Sequence, residues 1–241
     1  HMKLAQLMSQ SAKALASAAL MLSLIACGGN DYVNQADRND VITLGDSIFD
    51  LSGDIQANLE AQAGQTFRNY TQSGAEISGG LIARSVENQY SDAKSVNSNI
   101  DIAVMNGGGN DILIPAMILD PYGCRTHWWR WSISRSCRNL VNDTYVKTVN
   151  LLNTMDNDGV NDIIFLGYYE LPRGNANLKS AVNYGDDRLK AACDNSTANC
   201  TFLDPRGMVP ANHVLNDNIH PTAAGSKTLS DLVWPVLNNI L

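Results

Sequence analysis

Short apolar runs alternate with longer amphipathic stretches along most of the chain. Val41 to Leu44, Phe67 to Tyr70, Ile102 to Met105, Ile163 to Leu166 and Thr201 to Leu203 are short and almost uniformly apolar, which reads as buried strands. Arg68 and Asn69 interrupt the second of these. Ile55 to Ala63, Leu81 to Gln89, Leu140 to Met155, Arg188 to Cys193 and Ala223 to Ile240 space their apolar residues along one helical face. Strands alternating with helices form βαβ units, so the pattern predicts an α/β fold with a parallel sheet covered on both faces. Neither a long repeat nor a Pro/Gly/Ser linker divides the chain, which predicts a single domain over 40–241.

Ahead of that domain the pattern changes. His1 reads as a tag remnant, Lys3 and Lys13 form a positive leader, and Ala14 to Ala26 is apolar. At about 1.5 Å per residue that run falls short of a roughly 30 Å hydrocarbon core, so residues 1–26 read as a signal peptide rather than a membrane span. Leu24-Ile25-Ala26-Cys27 resembles a bacterial lipobox. The resemblance implies that Cys27 is lipidated and begins an exported, membrane-anchored chain, periplasmic or at the cell surface. Residues 27–39, polar after the cysteine, then read as a tether from lipid to fold.

The remaining cysteines suit export. Cys124, Cys137, Cys193 and Cys200 are an even set with three possible pairings, and proximity in sequence favours Cys124 with Cys137 and Cys193 with Cys200. Metal-ligand spacings such as C-x-x-C or H-E-x-x-H are missing from the sequence, so no metal is expected. The formal charge of −7, or −9 once Lys3 and Lys13 leave with the leader, is the wrong sign for a partner rich in phosphate, so nucleic acid is not expected either.

In an open parallel sheet, chemistry collects beyond the carboxyl ends of the strands. Four polar segments fall there or near the C-terminus: Gly45-Asp46-Ser47-Ile48-Phe49-Asp50, Ser73-Gly74-Ala75, Gly107-Gly108-Gly109-Asn110-Asp111 and Asp217-Asn218-Ile219-His220-Pro221. Singly they are bland: a helix cap, two glycine turns, a surface Asp-x-x-His. In this order they resemble the four sequence blocks of the SGNH (GDSL-type) hydrolases, with Ile48 where leucine is usual. The resemblance runs from Val41 to the end of the chain. It implies a three-layer α/β/α sandwich of flavodoxin-like type with a five-stranded parallel sheet. It further implies Ser47 as nucleophile, His220 as base, Asp217 as the third member of the triad, and an oxyanion hole from the N–H groups of Ser47 and Gly74 with the Asn110 side chain.

The residue chemistry agrees with those roles. A serine hydroxyl needs a neighbouring base, and histidine suits that task near neutral pH. Asp217 stands three residues before His220, close enough for its carboxylate to orient the imidazole. A glycine-flanked N–H and an asparagine amide are neutral, preorganised donors for a developing oxyanion, while Asp111 reads as a holder of loop geometry. Rival motifs fail: the sequence has no G-x-S-x-G, Ile112 stands where G-x-G-x-x-G needs its last glycine, and no P-loop is present, so no cofactor is expected.

Between Cys124 and Cys137 lie three of the four tryptophans, amid arginines. This segment reads either as a lid or acyl wall carrying Trp128 and Trp129, or lipid-headgroup contact, or as a satellite core stapled by a disulfide. The expected activity is hydrolysis of carboxylic esters through an acyl-enzyme on Ser47, with short-chain or aryl esters or lysophospholipids as substrates. The alternatives are a carbohydrate O-acetylesterase on the same triad and a non-catalytic surface lipoprotein.

Overall fold

The computed structural model describes residues 32–80, 82–128 and 131–241. Cys27, the leader, Leu81 and Trp129 lie outside them. Five strands form one all-parallel sheet: β1 (Arg38–Leu44), β2 (Phe67–Asn69), β3 (Ile102–Met105), β4 (Asp162–Leu166) and β5 (Cys200–Leu203), in the order β2-β1-β3-β4-β5. The helices among the described residues are α1 (Ser47–Asp50), α2 (Asp54–Ala63), α3 (Val86–Val96), α4 (Gly109–Ile118), α5 (Arg135–Asn157), α6 (Ala176–Asn195) and α7 (Ala223–Asn238). The expected α/β/α sandwich is what forms, with the flavodoxin-like strand order.

Alternation along the strands builds the two faces. Ile42, Leu44, Ala103, Met105, Ile163 and Phe165 point to one side, where α3, α5 and α6 cover them. Val41, Ile102, Val104, Ile164 and Leu166 point to the other, under α1, α2 and α7. Among the described residues no helix is long and apolar enough to cross a membrane.

Several boundaries differ from the pattern, each for a physical reason. Arg68 does not break β2. Its fully buried guanidinium donates to the carbonyls of Asn39 (2.7 Å), Ala93 (2.9 Å) and Asn97 (3.1 Å), the last two at the C-terminal end of α3, where a cation is favoured. The packed unit starts before Asp40, since β1 begins at Arg38, Val33 bridges Asn69 and Tyr32 packs on the Tyr70 ring. Helix α3 begins inside the Leu81 to Gln89 stretch and runs past its end, because Ser85 caps it, accepting from Asn88 N–H, and its later turns are polar. Helix α6 is far longer than Arg188 to Cys193, because its inner face includes Asn177, Ala181, Gly185 and Asp186, which hydropathy does not mark as buried. Helix α4 has apolar residues all round and contains Pro115, so it carries no helical period to read.

Both disulfides pair sequence neighbours, Cys124 with Cys137 and Cys193 with Cys200. The first lies in a satellite core with Ile112, Ala116, Ile133 and Val141. Cysteines and isoleucines fill that core. Trp128 and Trp131 do not, being 84% and 87% exposed.

Candidate active site

The loop after β1 is shaped by close backbone approach. Gly45 turns the chain at φ 151°, and a Cβ there would lie 1.9 Å from Asn106 Oδ1 on the neighbouring loop. Buried Gln89 of α3 grips the same glycine from the other side, donating to its carbonyl at 2.9 Å and accepting its N–H at 2.8 Å. Asp46 then caps α1 by accepting Ile48 N–H at 2.9 Å, which sets Ser47 as the first residue of the helix.

Ser47 Oγ lies 2.8 Å from His220 Nε2, and His220 Nδ1 lies 2.6 Å from Asp217 Oδ2. The Asp217 carboxylate also closes its own turn, because Oδ1 accepts the backbone N–H groups of Ile219 at 2.9 Å and His220 at 3.0 Å. Burial by itself would push the Asp217 carboxyl up, but the hydrogen bonds from the His220 ring and these two N–H groups outweigh it and bring it down to about 2. An ionised carboxylate at Nδ1 keeps the ring proton there. Nε2 is thereby left with its lone pair facing the serine hydroxyl.

The two donor loops are tied to this frame. Fully buried Asp50 of α1 accepts the Ser73 N–H at 2.7 Å and the Ser73 hydroxyl at 2.6 Å, which holds the loop of Gly74, at φ 84°, against the helix that begins with Ser47. Asn110 Nδ2 donates to the Ala75 carbonyl at 3.0 Å, so one of its two N–H bonds is anchored and the other remains for a ligand. Asp111 accepts Ile77 N–H at 2.9 Å and serves loop geometry, with burial raising its carboxyl to about 6.

Tyr168, just beyond β4, joins two of these loops. Its hydroxyl donates to Asp46 Oδ2 at 2.5 Å and accepts Gly109 N–H at 3.0 Å, while burial and the Asp46 carboxylate hold the phenol well above its ordinary pKa. Gly109 must be glycine for this contact, since a Cβ would meet the Tyr168 ring at 2.7 Å. Tyr168 N–H in turn donates to buried Asp186 at 2.8 Å.

Burial pushes the Asp186 carboxyl up to about 7, despite the Tyr168 hydrogen bond and Arg206 nearby. The folded carboxyl therefore keeps its proton through a range in which the unfolded one has ionised. Between about pH 4 and 7 the native state binds the extra proton, so this group's contribution to stability falls as pH rises through that window. Asp186→Asn removes the titration. The expected result is a melting temperature that gains more from acidification from pH 8 to 5 in the wild type than in Asp186→Asn, and equal gains in thermal unfolding would contradict it.

The cleft beside Ser47 is lined by Asn110, Leu113, Leu171, Val182 and Ile219. Trp128 is not among its lining residues, and Trp129 lies outside the described residues. The structure thus brings Ser47, Asp217 and His220 into one hydrogen-bonded line, and it ties the loops of Gly74 and Asn110 together through Ala75.

No protein-family model matches the chain, and no curated protein matches it. Solved structures do. An acetylxylan esterase from Geobacillus stearothermophilus is 13% identical, with a TM-score of 0.55 over 81% of this chain and 92% of its own. A carbohydrate esterase family 3 protein from Talaromyces cellulolyticus is 15% identical, with a TM-score of 0.57 over 83% and 96%. A Slackia heliotrinireducens protein assigned as an SGNH hydrolase is 15% identical, with a TM-score of 0.53 over 82% and 97%.

The chain has the SGNH hydrolase fold. Within it, reading motif blocks alone misses the supports: Gln89, Asn106, Tyr168 and Asp186 all lie outside the four segments. A polar residue one or two positions past a buried strand was the available signal for Asn106 and Tyr168. The cleft residues Leu171 and Val182 carry no such mark, because apolar side chains near a site look like any other core residue.

Proposed function

We propose that the protein is an SGNH-type serine esterase acting on carboxylic esters through an acyl-enzyme on Ser47. The observation that carries this reading is the line from Ser47 Oγ through His220 to Asp217, at 2.8 and 2.6 Å. In the proposed reaction His220 Nε2 takes the serine proton as Oγ attacks the ester carbonyl. The imidazolium, steadied by Asp217, then gives that proton to the leaving alcohol. Water, deprotonated by the same ring, releases the acid. The oxyanion of each tetrahedral intermediate meets the free N–H of Asn110 and the backbone N–H groups of Ser47 and Gly74.

The modest cleft beside Ser47, walled by Leu113, Leu171 and Ile219, favours short acyl groups. A carbohydrate O-acetylesterase is the second reading, supported by that cleft and by the acetylxylan and carbohydrate esterases that share the fold. Hydrolysis of p-nitrophenyl esters of rising chain length, set beside acetate release from an acetylated xylooligosaccharide, tests both. Preference for the acetyl ester is expected, and absence of turnover on every ester would overturn the proposal. Asn110→Ala should lower kcat by about 10²- to 10³-fold with little change in KM, because the amide acts on charge that develops in the transition state. An unchanged kcat would remove Asn110 from the site.

Export and lipidation at Cys27 belong to the same proposal. Two disulfides, Cys124–Cys137 and Cys193–Cys200, support an oxidising compartment, and Cys27 follows an apolar leader. Metabolic labelling with a palmitate analogue, lost in Cys27→Ser, is the direct check.

A further inference from the structure

Large apolar side chains are exposed in a cluster along one stretch of the chain. Ile118, Leu119, Tyr122, Trp128 and Trp131 are 46%, 84%, 41%, 84% and 87% exposed. Ile118 ends α4, and the other four fall between it and the start of α5. The local geometry presents them. Asp120 takes φ 47°, and its carboxylate accepts the N–H groups of Cys124 at 2.6 Å and Arg125 at 3.1 Å, which folds the chain back and leaves Leu119 at the outside of the turn. The disulfide Cys124–Cys137 and buried Ile133 hold the base of the loop in the satellite core. Thr126 pins its middle to the start of α6, its N–H donating to Asn175 Oδ1 at 2.6 Å and its hydroxyl accepting Asn177 N–H at 2.9 Å. The apolar tip is therefore built on a rigid support.

Charge marks what such a tip meets. In a chain of net charge −7, the stretch from Arg125 to Arg138 contains four arginines and no acidic residue. Arg125, Arg135 and Arg138 are exposed and make no ion pair among the described residues. The nearby carboxylate of Asp120 is only 6% exposed and is turned inward to the loop's own N–H groups. Exposed aliphatic and indole groups in the same stretch as exposed guanidiniums match an interface between hydrocarbon and anionic headgroups, where tryptophan and arginine each place an apolar body and a polar end at the right depth. The position suits it too. Helix α5, 23 residues and about 34 Å long, runs from this loop to the amino end of β4, whose own length is only about 17 Å. Its N-terminal end thus stands roughly 15 Å beyond the carboxyl rim of the sheet, the side on which Ser47 lies.

We infer that the loop between α4 and α5 is a membrane-docking element that inserts Leu119, Trp128 and Trp131 into a bilayer bearing anionic headgroups, with Arg125, Arg135 and Arg138 on the phosphates. This surface is separate from the Ser47 cleft and stands whether or not the esterase reading holds. It also differs from anchoring through Cys27, because it sets the orientation of the folded domain on the lipid.

The test uses the full chain carrying Cys27→Ser, so that no acyl chain contributes, and reads tryptophan emission against vesicles containing brominated lipid. Vesicles of phosphatidylglycerol with phosphatidylcholine are expected to quench the emission, and phosphatidylcholine alone to do so far less. The apolar leader could bring any variant to a vesicle, but it has no tryptophan to quench. Arg135→Glu with Arg138→Glu should weaken the quenching titration by about thirtyfold or more, and raised salt should act in the same direction. Both positions are exposed, so the melting temperature should stay at the wild-type value. Wild-type emission unaffected by anionic vesicles would overturn the inference, as would equal quenching in the charge-reversed variant. Loss of vesicle response together with a concentration-dependent dimer, or with retention on an insoluble polysaccharide, would assign the patch to those occupants instead.

Discussion

Ser47→Ala is expected to abolish ester hydrolysis while the melting temperature stays within a degree or so of the wild type, about the scatter expected for a surface change. The expected loss is on the order of 10⁶-fold in kcat, the scale set when a triad nucleophile is removed and only binding and oxyanion donors remain. Stability is spared because the hydroxyl's contact is with His220 Nε2, at 2.8 Å, and the loop itself is held by others. Gln89 and Asn106 grip Gly45 and Asp46, and Asp46 caps α1. A fluorophosphonate probe reports the same event directly, since it labels an activated serine. The wild type should be labelled at Ser47, and labelling of the alanine variant at the wild-type rate would refute the assignment.

Asp217→Asn should cost about 10⁴-fold in kcat with a much smaller effect on stability. The asparagine Oδ1 can still accept the N–H groups of Ile219 and His220, so the turn that presents the histidine survives. What is lost lies at Oδ2, 2.6 Å from His220 Nδ1. An amide N–H there has no lone pair for the ring N–H, so the imidazole shifts to the tautomer that carries its proton on Nε2 and cannot accept from Ser47. The carboxylate held down at about 2 is also the charge that would steady the imidazolium, and the neutral amide supplies none. A kcat within tenfold of the wild type would place the orienting acid elsewhere.

Legibility in the sequence followed the kind of force involved. The strands were readable because both faces of a parallel sheet are buried, so Ile102 to Met105 and Ile163 to Leu166 had to be continuously apolar. Helices were readable only where an apolar stripe faced the core. Leu151, Leu152 and Met155 announce α5, whereas the N-terminal part of α6 buries Asn177, Ala181, Gly185 and Asp186 around a lone Val182, and its first turns pass unmarked. Arg68 shows the converse. A charged residue inside an apolar run argued against a strand, yet its guanidinium is buried because three carbonyls converge on it, a partnership between β2, β1 and α3 that no local window contains.

The active-site candidates divide along the same line. Ser47, Asn110, Asp217 and His220 could be named from the sequence because the four short segments around them, marked by glycines and turn residues, resemble the SGNH blocks in their order. By itself the sequence also determined the α/β class, the strand set and the four rim segments, all of which depend on hydrophobic period and turn chemistry within a few residues. The tertiary structure alone decided that Asp50 fixes the Gly74 loop, that Tyr168 bridges Asp46 to Gly109, and that Trp128 and Trp131 face outward rather than into the cleft. Each of those outcomes depends on contacts between residues far apart in the chain, or on which side of a pinned loop faces solvent. Hydrogen bonds of that kind are chosen by packing, after the sheet has brought its loops to one rim.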